Sequence, residues 1–199
     1  MYPQAEEFIQ YVKVCFPLYF YKKDILDIGI LLNENYKNFQ ECQYYITDIT
    51  LDETDMNRDL LSAKDLEFEL EYFDVILCVE CLEYDPTWKE AIQNIIRMLK
   101  VKGLFIIIFQ SLINEDSMDI NKLNNIINFN NTFCYWDCYI DNNTNDYYFV
   151  AIKKSTNDNN ELPLIIKYDN SISRIPNCNI ENITNNINIE YQQKIYSNS

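Results

Sequence analysis

The alternation of apolar and polar positions divides the chain into strands and helices along most of its length. Phe8, Val12 and Cys15, flanked by Ile9 and Phe16, recur at helical spacing over residues 5 to 16, and Pro17 ends that stripe. Asp24-Ile25-Leu26-Asp27-Ile28-Gly29 reads as a short buried strand running into a turn. Tyr44-Tyr45-Ile46-Thr47-Asp48-Ile49 reads as a second strand ending at an acid. Residues 50 to 66 are polar, anchored by Leu60, Leu61 and Leu66. The clearest strand follows, Phe73 to Val79.

Asp85 and Pro86 then predict an N-cap and a first helical position. Trp88, Ala91, Ile92, Ile95, Ile96 and Leu99 continue at helical spacing to Lys100-Val101-Lys102-Gly103, where glycine predicts the stop. Leu104 to Phe109 is uninterrupted apolar sequence, expected of a strand buried on both faces. Ile120, Leu123, Ile126 and Ile127 predict a further helix. Phe133 to Ile140 and Tyr147 to Lys153 predict a hairpin joined by turn-forming residues 141 to 146. Strands alternating with helices, closed by a hairpin, predict an α/β Rossmann-like sheet of seven mostly parallel strands, one edge strand reversed, with helices on both faces. From Asn157 the composition turns to Asn and Ile, broken by Pro163 and Pro176. Residues 1–154 are therefore expected to form the domain and 155–199 an extension. Leu162 to Tyr168 is a possible extra strand, and the segment a candidate for ordering on a partner.

Composition excludes several function classes. The 199 residues include 31 acids, 16 bases and no histidine, for a formal charge of −15. The missing histidine removes the usual hydrolase triads and most zinc or iron sites, so no metal ligands are expected. The charge repels phosphate backbones, so direct nucleic-acid binding is not expected, whereas a basic protein partner is. No apolar run approaches a membrane span. Seven cysteines without a secretory signal point to reduced thiols and a cytoplasmic protein, with Cys78 and Cys81 the lone C-x-x-C. Only two glycines occur, Gly29 and Gly103, where ordinary usage would give about fourteen.

Several segments carry a family resemblance. Phe73-Asp74-Val75-Ile76-Leu77-Cys78-Val79-Glu80-Cys81-Leu82-Glu83-Tyr84-Asp85 resembles the fourth strand and loop of the class I S-adenosylmethionine-dependent methyltransferases, type-11 branch. Asn94 to Ile106 resembles their R-x-L-K-P-G-G-x-L helix exit and fifth strand. Leu26-Asp27-Ile28-Gly29 resembles the start of the cofactor motif, and Tyr45 to Ile49 the second strand with its ribose-binding acid. The resemblance covers Phe8 to Lys153 and implies S-adenosylmethionine as cofactor, held by Asp27, Gly29, Asp48, Ile49 and Glu80. It also brings in large DNA virus proteins as relatives of the branch.

Departures from the family pattern fall at loops. The turn after the first strand is Gly29-Ile30-Leu31-Leu32-Asn33-Glu34-Asn35, with leucines where bare backbone is expected to meet the ligand, and Asn33 or Asn35 able to take the left-handed conformation. The family's histidine after Leu-Glu is Tyr84. The K-P-G-G positions carry Val101 and Lys102, and the substrate-side loop is Gln110 to Asp116.

Strands held by packing are kept while loops held by ligand chemistry change, as expected of a pseudoenzyme acting as a binding or structural subunit. The alternative is an active enzyme with an unusual first loop. At single residues the readings stay paired. Asp48 is a ribose ligand or a solvated strand-end acid. Asp27 orders the first loop or supports a turn. Glu80 and Glu83, flanking the expected pocket opening, are capping or solvated acids, or else a general base or substrate contact. Tyr84 and Asp85 pair at the substrate side. Trp88 is read as core, and Trp136 as a possible stacking platform. No catalytic residue is assigned.

Overall fold

The computed structural model describes residues 3–29, 39, 41–47, 68–110, 118–141, 144–155 and 180–184. Among these, α1 (Pro3–Cys15) is followed by a 3-10 turn (Pro17–Phe20), β1 (Asp24–Ile28), β2 (Gln43–Thr47) and β3 (Phe73–Val79). A short 3-10 turn (Leu82–Tyr84) leads to α2 (Trp88–Met98), β4 (Leu99–Gln110), α3 (Ile120–Ile127), α4 (Phe129–Thr132), β5 (Phe133–Asp141), β6 (Asp146–Lys153) and β7 (Ile180–Thr184). The expected Rossmann-like methyltransferase fold is present.

One sheet orders the strands β2-β1-β3-β4-β6-β5-β7. β2, β1, β3 and β4 pair in parallel, with Leu26 opposite Tyr45 and Ile76, and Ile76 opposite Phe105. β6 then runs antiparallel to β4, and β5 antiparallel to β6. One reversed strand, β6, thus lies between β4 and β5, and the rim strand beyond β5 is reversed as well, as expected of the edge. A hairpin explains this: β6 must return beside β5, and its apolar face fits the centre. The rim on that side is β7, antiparallel to β5 with Cys138 opposite Ile183. This strand comes from the extension but at Ile180–Thr184; the expected strand at Leu162–Tyr168 lies outside the described residues.

Pleating sends successive side chains to opposite layers. Leu26, Ile28, Ile76, Cys78, Phe105, Ile107, Phe149 and Ala151 meet Trp88, Ala91, Ile92 and Ile95 of α2, with Leu123 and Ile127 of α3. Trp88 is therefore core, as its spacing predicts. On the other face Ile25, Val75, Leu77, Ile106, Val150 and Ile152 meet Phe8, Ile9, Val12 and Cys15 of α1. Trp136 packs on Phe129 and Phe149, at 5.1 and 6.1 Å between ring centres, so its ring belongs to this packing.

Two sequence-predicted helix signals resolve differently. Asp85 does not cap α2: its Oδ1 accepts from the Thr87 amide and hydroxyl, both at 2.7 Å, and the helix begins at Trp88. The side chain that suits an N-cap suits an Asx turn equally well. At the other end α2 stops at Met98, and β4 starts at once with Leu99. The left-handed residue is Lys102 (φ 61°), not Gly103. Gly103 instead admits a close approach, since a Cβ there would stand 2.7 Å from the Lys100 carbonyl.

A lysine from β6 closes the same helix. Lys153 Nζ donates to the carbonyls of Leu99 (2.6 Å) and Ile96 (3.0 Å), groups a helix end otherwise leaves unpaired. Glu71 sits 3.4 Å away as counter-charge. Lys153→Met keeps the stem but strands both carbonyls, and we expect a loss of about 1–3 kcal/mol. The urea midpoint measures it; an unchanged midpoint would show that water replaces the ammonium without cost.

Candidate functional site

The carboxyl ends of β1, β3 and β4 lie side by side, where open α/β sheets place their ligands. At β1, Asp27 shares the pleat of Ile25 and so faces the α1 layer. It is 1% exposed and accepts a hydrogen bond from the Tyr44 hydroxyl of β2. Its Oδ1 is buried without a partner among the described residues. Burial pushes the carboxyl up to about 7, against the lowering effect of the Tyr44 bond.

Gly29 follows at φ 127°, a backbone conformation for glycine. A Cβ there would meet the Val79 carbonyl at 2.6 Å and Cys81 Cβ at 3.4 Å. The bare face of this glycine is therefore turned to the exit of β3. Cys81 completes the contact, its thiol 3.3 Å from the Ile28 carbonyl and 3.4 Å from Cys78 Sγ. Both thiols are buried, and burial holds the Cys78 thiol well above its ordinary value. No group of three or more metal-ligating side chains forms among the described residues. The C-x-x-C is packing at the β1–β3 junction.

The exit of β3 turns sharply at Glu80 (φ 50°), whose amide donates to the Ile108 carbonyl at 2.8 Å. This left-handed acid has no signature in the sequence. Burial pushes the Glu80 carboxyl up to about 7, and Asp146 adds to the shift. Glu83 is 7% exposed; its Oε1 lies 3.5 Å from the Gln110 amide and its Oε2 is buried without a partner. Burial pushes this carboxyl up to about 7 too, with Glu80 and Asp146 adding to the shift. Gln110 pairs with Asp146 across β4 and β6 and donates to the Thr144 carbonyl at 3.0 Å. The Thr144 hydroxyl donates to Asp146 at 2.7 Å. Sequence reasoning missed Asp146, 66 positions from Glu80 and read only as a turn residue.

The structure brings Asp27, Gly29 and Glu80 to one end of the sheet. Asp48, Ile49 and the turn from Ile30 to Asn35 lie outside the described residues, as do positions 111–117 and the Tyr84 side chain. Asp85 is occupied by Thr87. Of the residues assigned to the cofactor, Gly29 turns its Cβ direction to the Val79 carbonyl and Asp27 accepts from Tyr44 with one oxygen.

Residues 26–107 match the family described as "Methyltransferase domain". No curated protein matches the chain in sequence. Solved structures do. The PH0226 protein of Pyrococcus horikoshii is 14% identical with a TM-score of 0.55, over 75% of this chain and 89% of that one. The YcgJ protein of Bacillus subtilis is 12% identical with a TM-score of 0.54, over 76% and 99%. Phosphoethanolamine N-methyltransferase 2 of Haemonchus contortus, solved with S-adenosyl-L-methionine, is 13% identical with a TM-score of 0.56, over 75% and 53%. At these identities the likeness is one of fold.

The raised carboxyls set a pH dependence. A carboxyl with a folded pKa near 7 and an unfolded one near 4 keeps its proton longer in the folded chain. Between about pH 4 and 7 the folded state then binds more protons, and stability falls as pH rises. Asp74, lowered by Lys100 and Lys23 against its burial, acts below that window and in the opposite sense. We expect a higher Tm at pH 5 than at pH 7.5, with the difference reduced in Asp27→Asn. A Tm that rises from pH 5 to 7.5 would contradict the upward shift of these carboxyls by burial.

Proposed function

For a chain with the class I methyltransferase fold and a type-11 methyltransferase domain over residues 26–107, we propose a scaffold function: a degenerate member that serves as a binding or structural subunit of a larger assembly. The observation that carries this reading is the closure of Gly29 onto the Val79 carbonyl and Cys81, which accounts for the glycine without a ligand. The Asp27–Tyr44 bond acts in the same direction. Intact strands beside leucines at positions 31 and 32 complete the case, because a scaffold needs the sheet and not the cradle.

A net charge of −15 favours a basic protein as partner over nucleic acid. No described helix is long and apolar enough to cross a membrane. A cytoplasmic setting fits the described thiols, of which Cys15, Cys78, Cys81 and Cys138 are buried.

A second reading, an active S-adenosylmethionine-dependent methyltransferase, is favoured by one observation. Glu80 and Glu83 stand at the strand exits with carboxyls near 7, the range suited to a general base at neutral pH. Asp27, Gly29, Asp48, Ile49 and Glu80 are the residues that would hold the cofactor, whose contribution when bound is a transferable methyl group.

Calorimetric titration with S-adenosylmethionine and S-adenosylhomocysteine separates the two. We expect no heat of binding at millimolar ligand. Micromolar affinity, abolished by Asp48→Ala, would overturn the scaffold reading and establish the enzyme.

A further inference from the structure

We propose that the exposed apolar stripe of Val14, Pro17, Leu18 and Tyr21, bracketed by Lys13 and Lys22, docks an acidic segment of a partner protein. The stripe precedes β1, at the end of the sheet opposite the candidate site. It does not depend on whether S-adenosylmethionine binds.

All eight residues from Val14 to Tyr21 are apolar or aromatic. Only half of them enter the core: Cys15, Phe16, Tyr19 and Phe20 are buried, while Val14, Pro17, Leu18 and Tyr21 are exposed. The exposed set is spaced i, i+3, i+4 and i+7, one face running through the end of α1 and the 3-10 turn after it. Val14, Leu18 and Tyr21 are 49%, 61% and 55% exposed, three of the five large exposed hydrophobic side chains among the described residues. One such side chain in water needs no explanation, but a row of them does. The inner face fixes the outer one. Phe16 packs on Tyr135 at 5.7 Å, Phe20 on Phe39 at 5.4 Å, and the Tyr19 hydroxyl donates to the Lys102 carbonyl at 2.7 Å. The segment cannot roll to hide the stripe without breaking these contacts, so it is presented ready for a partner.

Charge selects that partner. Residues 8–23, 91–110 and 147–157 hold eight of the sixteen bases and none of the 31 acids. The three segments meet at this end of the sheet, where Tyr19 reaches Lys102 and Lys153 Nζ donates to the Leu99 carbonyl at 2.6 Å. The described ion pairs bring Glu41, Asp24, Asp74 and Glu71 against these segments, and the bases outnumber those four acids. Lys22 Nζ lies 4.9 Å from the Tyr21 ring centre and 3.7 Å from Glu41. That pair is exposed on both sides, so an arriving carboxylate exchanges with it at little cost. The net charge of −15 governs approach from a distance, whereas contact is decided by charges within about 10 Å. A partner that is basic overall and carries one acidic segment with a leucine or aromatic anchor meets both demands. A second copy fits less well, because Lys13 and Lys22 would face their own counterparts. An extended anionic lipid surface would meet the acids of the rest of the chain.

The test measures fluorescence anisotropy of a labelled, capped Glu-Leu-Glu-Glu-Leu-Phe-Glu-Glu peptide with the full chain at moderate salt. A counterpart carrying Lys for every Glu is titrated beside it. We expect saturable binding of the acidic peptide alone. Leu18→Ser combined with Tyr21→Ser should weaken it about tenfold or more at unchanged Tm, since both side chains are exposed. Lys22→Gln should weaken it less and flatten its salt dependence. Ile46→Ser, 46% exposed on β2, should leave binding unchanged. Equal affinity for the Lys peptide, unchanged affinity in the double variant, or no binding would overturn the proposal. Flotation with phosphatidylserine vesicles that the double variant loses would make the stripe a lipid contact. A dimer in sedimentation velocity that the double variant loses would make it a self-contact, and either result overturns the proposal as well.

Discussion

Everything in this molecule depends on a strand, β4, that is buried on both faces. From Leu104 to Phe109 no residue is more than 2% exposed, and the strand is paired on one side with β3 and on the other with β6. Such a position accepts neither a polar side chain nor a gap, because the core is close-packed and every backbone group already has its partner. The helices that cover it are fixed in turn: α2 on one face, α1 on the other. Chemistry is thereby expelled to the strand ends, and the carboxyl ends collect it.

The same constraint explains what was legible in the sequence. Strand periodicity and the α2 stripe follow from burial, so β1, β3, β4, the hairpin and Trp88 were all readable. Chemistry at turns is less readable because one residue type serves several geometries. Asp85 has the right side chain for an N-cap and uses it in a turn that precedes the helix. Gly103 looks like a helix stop, yet Lys102 takes the left-handed conformation while the glycine yields space to the Lys100 carbonyl. In both cases the residue was identified correctly as special, and tertiary context decided what for.

The candidate site divides along the same line. Asp27, Gly29 and Glu80 were found through a local motif, and the sheet brings them to one end. Asp146 carried no local signal, because its meaning arises only when β6 returns beside β4 and sets it opposite Gln110. The role of Gly29 was also beyond the sequence. A glycine after a first strand looks the same in sequence whether or not, as here, the place of its Cβ is taken by the carbonyl of Val79.

The two acidic centres near this end answer different physical demands. Asp27 is enclosed in the α1 layer with Tyr44 as donor, so its cost is partly met within the fold and its removal need not open anything. Glu83 is enclosed with one oxygen near an amide and the other without a partner, while Glu80 and Asp146 increase its cost. A chain seeking stability alone would replace such a carboxyl with an amide or an apolar group of similar size. Both centres lie toward the carboxyl end of the sheet, Asp27 in the α1 layer beside β2 and Glu83 beside the exit of β4.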